Sequence, residues 1–300
     1  MLTWTLLTTA AFPVIQSAAS PWTLGRGDLY GFVGFFRSRT HHFFDSNSNR
    51  RTFLNDGTSR VRGFSVEGSF GVTNRLMVSG SLPVVWFKLQ DNFVTEQGRS
   101  LGDTRLSLRY RTFDGPIMAA VEGGVKFPTA TARDPTRVQI GEGQYDYELL
   151  GSVGRYWFFE GIRASVDAGY RWRRRNGNTG FKPGNERILR LEMSYTPNSR
   201  LSLSTLVNGF SGSNGNAKVF SLTASTLSAR HAANLIPTVS YRISGPWQVA
   251  VSASLPLAGR RTYAGRQFAL GISYNGAALD KQLSIGGFSN PRGGSCCSIQ

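Results

Sequence analysis

The stretch "GIRASVDAGYRWRRR", residues 161–175, decides the fold. Taken by twos, Ile162, Ala164, Val166, Ala168, Tyr170 and Trp172 form one row, and Arg163, Ser165, Asp167, Gly169, Arg171 and Arg173 form the other. A period of two is that of a β-strand, whose successive side chains point to opposite faces. One face is apolar and ends in aromatic rings. The other is polar throughout and charged at four of its six positions, more than an ordinary solvent face carries.

The pattern recurs along the chain. In "GDTRLSLRYRTF" Thr104, Leu106, Leu108 and Tyr110 oppose Asp103, Arg105, Ser107, Arg109 and Arg111. "PIMAAVEGGVKFP" sets Ile117, Ala119, Val121, Val125 and Phe127 against Glu122, Gly124 and Lys126. "ERILRLEMSYTP" sets Leu189, Leu191, Met193 and Tyr195 against Arg190, Glu192 and Ser194, and "GFSVEGSFGV" sets Phe64, Val66 and Phe70 against Ser65, Glu67 and Ser69. Strands of soluble sandwiches usually run for about 5–6 residues, whereas these alternate for about 10, the length that crosses a bilayer. A large soluble β-sandwich would have to bury these apolar rows against each other, and it leaves the arrangement of the connections unexplained.

Those connections come in two kinds. Short ones rich in Asn, Asp, Gly and Pro fall at Thr73–Arg75, Asp114–Pro116, Phe158–Gly161, Pro197–Arg200 and Ser244–Pro246. Between them lie longer polar stretches at 39–59, 86–100, 129–143, 174–186, 210–232 and 258–265. Five tight turns alternating with six long loops join twelve strands. The expected fold is therefore an all-β transmembrane antiparallel barrel of about 12 strands, with short periplasmic turns and long extracellular loops. Aromatics near the tight turns (Phe70, Phe113, Trp157, Tyr195, Tyr241, Trp247) and near the long loops (Trp86, Phe127, Trp172) are the expected girdles at the two headgroup layers. The apolar row of 161–175 then faces lipid and its charged row faces the lumen. Pro237 falls inside the tenth expected strand and predicts a bulge or a rim position there.

Composition agrees and excludes alternatives. The 300 residues contain no linker-like tract and no apolar run of 18 or more, so one domain without a transmembrane helix is expected. Two adjacent cysteines, Cys296 and Cys297, provide neither a disulfide framework nor a metal site, and no cofactor is expected. The formal charge of +16 is scattered over strands and loops rather than gathered on one element, which argues against nucleic acid. The first twenty residues, "MLTWTLLTTAAFPVIQSAAS", read as a secretory signal with Ser17 and Ala19 at the inspected positions, although no Lys or Arg precedes the apolar core. The expected division is a signal peptide over 1–19, a barrel over 20–275 and a tail over 276–300. Only three histidines, His41, His42 and His231, are present, and none stands in a His-x-Ser-Asn run, so no enzyme is expected.

"LGDTRLSLRYRTF", "AAVEGGVKFPTATA", "IGEGQYDYELLGSVGRYW", "ASVDAGYRWRRR" and "PLAGRRTYAGRQFALGISY" resemble the outer-membrane proteins of the MetA-pathway of phenol degradation, or transporter-like, family. The likeness runs from about Gly63 to Tyr274. It implies a β-barrel in the bacterial outer membrane that takes part in uptake of aromatic or other hydrophobic compounds. One departure is the end of the last strand, Tyr274–Asn275–Gly276, where members of that family close on an aromatic.

The polar rows give nine inward positive charges, Arg105, Arg109, Arg111, Lys126, Arg163, Arg171, Arg173, Arg190 and Arg242. Seven negative charges face them, Glu67, Asp103, Glu122, Asp146, Glu148, Asp167 and Glu192. The expected function is a porin-like channel or transporter for small solutes with a narrow, charge-lined lumen and a weak preference for anions. A second reading is a structural or adhesive barrel that conducts nothing and whose basic loops (Arg50, Arg51, Arg133, Arg137, Arg174, Arg175, Arg260, Arg261) bind a partner or lipopolysaccharide phosphates. The expected partners are outer-membrane lipid and small-molecule solutes. Nothing in the sequence specifies an oligomeric state.

Overall fold

The computed structural model describes residues 21–129, 143–157, 160–177, 180–217 and 229–276. The expected signal peptide and all of the expected tail beyond Gly276 lie outside these residues. Twelve strands carry the fold: β1 Leu29–Thr40, β2 Thr58–Gly71, β3 Leu76–Gln90, β4 Thr104–Phe113, β5 Ile117–Phe127, β6 Asp146–Trp157, β7 Ile162–Arg173, β8 Glu186–Tyr195, β9 Leu201–Gly212, β10 His231–Ser244, β11 Trp247–Arg260 and β12 Arg266–Asn275. Each pairs antiparallel with the next, and β1 pairs with both β2 and β12. The sheet is thus a closed barrel, in which every strand edge finds a partner, as the hydrocarbon of a bilayer demands.

The five short connections sit where the Asn, Gly and Pro clusters predict. Local side chains fix two of them: Thr73 Oγ1 accepts the backbone N–H groups of Arg75 and Leu76 (3.1 and 2.9 Å), and Asn198 Oδ1 accepts those of Arg200 and Leu201 (both 2.9 Å). Gly161 adopts φ 63° in the β6–β7 turn, and a Cβ there would stand 2.5 Å from the Thr196 carbonyl oxygen. Only glycine suits both conditions.

The loop side departs from expectation in one place. Residues 86–100, read as a loop, are mostly sheet: β3 continues to Gln90, Asp91 Oδ1 caps a tight turn by accepting Phe93 N–H and Val94 N–H, and Thr95–Leu101 returns along β3. Val84 pairs with Leu101 but Ser81 with Arg105, so the register slips by one residue at Gly102–Asp103, where Gly102 N–H bonds to the Pro83 carbonyl (2.7 Å). That bulge reverses the in–out phase. An alternation counted outward from β4 therefore breaks off at Asp103, and the arm beyond it looks like loop. The 39–59 stretch also holds short strands, His42–Phe44 and Arg50–Thr52, which join Thr262–Tyr263 in a small sheet above the barrel. Phe53 ties this cap together by stacking on Phe43 (5.5 Å) and meeting Tyr263 edge-on (5.8 Å).

Pro237 is a second correction. It lies mid-strand opposite Thr205 in continuous pairing with β9, while toward β11 neither Ile236 nor Pro237 has a partner; the shifts in β10 fall between Ala233 and Asn234 and between Arg242 and Ser244. The missing N–H opens the β11 side of the ladder without changing its register from Leu235 to Thr238, so no bulge forms at the proline itself.

The two faces separate by alternation. On β7, Val166 and Trp172 are exposed on the outer face while Ser165, Asp167 and Arg173 are buried inside. The same holds for Phe64, Val66 and Phe70 against Ser65, Glu67 and Ser69 on β2. Away from the loop ends the outer face is thus apolar, the reverse of a soluble protein, and it is stabilised by lipid, while Arg37, Arg39, Arg60 and Arg62 stand on the same face at the loop ends of β1 and β2.

Candidate functional site

Strand register decides which interior charges meet. Across β4 to β7 the pairing sets Arg105 beside Lys126, Lys126 beside Asp146 and Asp146 beside Arg173. One step nearer the turns, Glu148 lies beside Arg171 and Arg171 beside Glu186. The result is a chain of alternating sign across the inner wall. Asp103 binds Lys126 (3.0 Å), Lys126 binds Asp146 (2.8 Å), and Asp146 lies 3.6 Å from Arg173. Arg173 binds Glu186 (2.9 Å), Glu186 binds Arg171 (2.6 Å), and Arg171 binds Glu148, which also binds Arg105 (3.0 Å). Four cations and four carboxylates compensate one another.

A second tier lies toward the turns. Arg109 donates to Glu122 (2.7 Å), Arg190 stands 4.0 Å from Asp167, and Arg111 donates to the Asn74 carbonyl (2.6 Å) while facing Asp114 at 3.4 Å. Arg163 Nε donates to Ser194 Oγ (3.1 Å), with Glu192 one inward position along β8. Most of these groups are withdrawn from solvent; Asp146 and Asp167 are fully buried, and Arg173 and Glu186 are 2% exposed. At such depth a charge is tolerable only with partners, so the pairs hold one another in place.

All twelve residues assigned to the inner row by alternation lie on that face: Arg105, Arg109, Arg111, Glu122, Lys126, Glu148, Arg163, Asp167, Arg171, Arg173, Arg190 and Glu192. Glu186 was counted with the loop, yet it is the first residue of β8 and receives three arginines, Arg171, Arg173 and Arg230 (3.2 Å). Its phase was legible, since Glu186, Arg190 and Glu192 share one parity. Including it and Arg230, which binds it, gives ten cations against eight carboxylates.

The charges do not encircle the interior. They belong almost entirely to β4–β8, whereas the inward rows of β9, β11 and β12 are built on Ser202, Ser204, Ala250, Ser252, Ser254, Ala269, Gly271 and Ser273. On β1 the inward row is aromatic. Phe32 and Phe36 are each 3% exposed, and Phe32 lies flat over Gly34 and Gly271, where a Cβ would come within 2.4 Å of its ring. The interior thus has an ionic wall and, facing it, a wall of hydroxyl, small and aromatic groups.

On the outer face Phe70, Phe113, Tyr195, Tyr241 and Trp247 are exposed near the turns, with Trp157 beside them under the Arg155 guanidinium (5.1 Å). Near the loops Phe127 packs on Tyr145 (5.9 Å) and Trp172 on Tyr170 (5.0 Å). Tyr274 lies edge-on to Trp247 (5.2 Å), so the last strand does present an aromatic at its turn-side end, one residue before Asn275.

The loop arginines separate into groups. Arg51 bonds to Asp45 (3.1 Å), Arg260 donates to the Ser46 carbonyl (2.8 Å) and Arg261 N–H reaches the Asp45 carbonyl (3.2 Å), which gathers Arg50, Arg51, Arg260 and Arg261 at one place on the cap. Asp45 is held below the usual carboxylate range, chiefly by the Asn49 N–H and then by Arg51. Burial pushes the neighbouring Tyr263 phenol up to about 12. Arg133 and Arg137 lie outside the described residues. Each histidine has a local partner: His41 with Thr58 (3.0 Å), His42 with Arg50 (3.5 Å) and His231 with Ser211 (2.8 Å). Among the described residues no carboxylate bonds to the His231 ring, and no group of acidic, His or Cys side chains is arranged to hold a metal.

A family model described as "Putative MetA-pathway of phenol degradation" matches residues 40–272. The chain belongs to this family. In structure it is similar to the COG4313 outer membrane channel from Pseudomonas putida F1, at TM-score 0.67 and 13% identity, over 86% of this chain and 98% of that one. It is also similar to the β domain of the Bordetella autotransporter BrkA, at TM-score 0.50 and 12% identity, over 83% and 99%. No curated protein matches in sequence. At such identities the likeness establishes the fold, an outer-membrane β-barrel.

Proposed function

We propose that the barrel is a passive channel for small amphipathic solutes, aromatic or otherwise hydrophobic compounds that carry a polar or charged group. The observation that supports this reading is the division of the interior into an ionic wall on β4–β8 and an uncharged wall of Ser, Ala, Gly and Phe opposite it. A solute with one polar and one apolar side satisfies both walls; a sugar leaves the aromatic side unfilled and an aliphatic chain leaves the arginines facing nothing. The family's association with phenol degradation agrees with that class. Twelve strands enclose less space than the sixteen or so of an open porin, so passage is narrow. The outer-face aromatics act as headgroup anchors in this reading, and the Arg50, Arg51, Arg260 and Arg261 group on the cap binds lipopolysaccharide phosphates.

Uptake by proteoliposomes tests the proposal. A small aromatic carboxylate should enter faster than a neutral sugar of similar mass. Equal rates would overturn the solute class, and entry of neither would overturn conduction and favour a structural barrel.

A further inference from the structure

The outer face changes character at the loop ends of four neighbouring strands, β12, β1, β2 and β3. Cα pairing sets Arg266 of β12 beside Arg39 of β1, Arg39 beside Arg60 of β2, and Arg60 beside Lys88 of β3. Four cations therefore stand in one row, each directly across from the next. One outward position nearer the turns, Arg37 pairs with Phe268 and Arg62, Arg62 with Trp86, and Trp86 with Arg99 of the Thr95–Leu101 arm. The row below that is wholly apolar, with Phe35 between Leu270 and Phe64, and Val84 beyond them. Phe64 meets Phe35 and Trp86 edge-on, at 5.4 and 5.9 Å, so an aromatic cluster lies directly beneath the arginines.

The height of the basic row is that of the outer headgroups. From Phe70, in the turn-side girdle, to Arg60 the chain of β2 climbs about 25 Å at a rise of about 3.3 Å per residue and a tilt of about 40°, which is the full height of the apolar band of such a barrel. At the loop ends of β5, β6 and β7 the outer face carries Phe127, Tyr147 and Trp172 instead, so the cations mark one sector of the wall rather than a ring. Among the described residues none of these seven cations forms an ion pair. The four strands hold a single carboxylate, Glu67, which is buried on the inner face, and Glu96 of the arm pairs with Leu89, in the phase opposite to Lys88 and Arg99. Like charges directly opposite on a sheet repel, so an anion from outside the chain stabilises this row.

We propose that the sector binds one molecule of lipid A, the phosphorylated glycolipid of the outer leaflet, with its phosphates on the row of Arg39, Arg60, Lys88 and Arg266 and its acyl chains on Phe35, Phe64 and Trp86. A guanidinium donates two parallel N–H groups to a phosphate, and several cations on one sheet face hold it from more than one side. The row crosses three strand spacings, about 14 Å, which a disaccharide phosphorylated at both ends spans and the single phosphate of a phospholipid does not. This surface is on the barrel wall, apart from the Arg50, Arg51, Arg260 and Arg261 group on the cap, and its role is independent of conduction.

Native mass spectrometry of the refolded full chain titrated with purified lipid A tests it, with folding checked by the gel shift that barrels show on heating. Replacing Arg37, Arg39, Arg60 and Arg62 together by Gln should weaken binding by about tenfold or more, whereas replacing Arg50, Arg51, Arg260 and Arg261 by Gln should change it by less than about twofold. In the unmodified protein, lipid A stripped of both phosphates should bind about tenfold or more weakly, a comparison that needs no variant to fold. Undiminished binding after either removal overturns the proposal. Loss in the cap variant alone overturns it too, by moving the phosphate contacts off the wall, and phosphatidylglycerol binding as tightly as lipid A overturns the choice of lipid.

Discussion

Glu186→Ala removes the carboxylate on which the ionic wall converges. Arg171 and Arg173 bind it from β7 at 2.6 and 2.9 Å and Arg230 from the β9–β10 connection at 3.2 Å, and the side chain is 3% exposed. Without it Arg173 still has Asp146, at 3.6 Å, and Arg171 still has Glu148. Truncating one partner of a buried ion pair costs about 3–5 kcal/mol, because the remaining charge stays desolvated. Three arginines share this loss and two keep a second carboxylate, so the lower end, about 3 kcal/mol, is expected. Glu186→Gln preserves the shape and one acceptor oxygen and should cost less. Urea titration of the protein folded into thin vesicles, followed by tryptophan fluorescence, measures both. The net interior charge also rises by one, so reversal potentials should move toward the anion limit in the same variant. Stability within about 0.5 kcal/mol of the parent, with an unmoved reversal potential, would refute the network.

Other outcomes follow from the same geometry. Val166→Arg, on the lipid face, should destabilise the folded barrel by about 2–4 kcal/mol in the same titration. Ser252→Arg, on the uncharged inner wall, should fold and strengthen anion preference, whereas failure to fold would place that wall against lipid. Replacing Arg171 and Arg173 together by Gln leaves Glu148 to Arg105, Glu186 to Arg230 and Asp146 to Lys126, so the anion preference should be lost. In the unmodified protein, anion preference should fade between low and high salt as screening shortens from about 30 Å at 0.01 M to about 3 Å at 1 M.

The strand count, the facing and the tight turns were legible because each rests on local chemistry: a period of two in "GIRASVDAGYRWRRR", and Asn, Gly and Pro at turns such as Thr73–Arg75. What escaped depends on register between strands. The one-residue slip at Gly102–Asp103 reverses phase, which concealed the Thr95–Leu101 arm. Glu186 was hidden by being placed at a loop boundary, although its parity matched Arg190. Which carboxylate serves which arginine follows from Cα pairing, as Asp146 with Arg173 and Glu148 with Arg171, and no alternation within one strand can supply that. The uncharged wall was visible only as an absence, in the Ser and Ala of "VSASL" where other strands carry Arg and Glu.

The central claim, a conducting lumen whose paired charges leave a small positive excess, is met most directly by the reversal potential of the refolded protein in a planar bilayer across a tenfold salt gradient. Current should flow, and its zero should lie slightly toward the anion equilibrium potential, more so at the lower salt concentrations. Clear cation selectivity, or a bilayer that stays silent with folded protein inserted, would contradict the account.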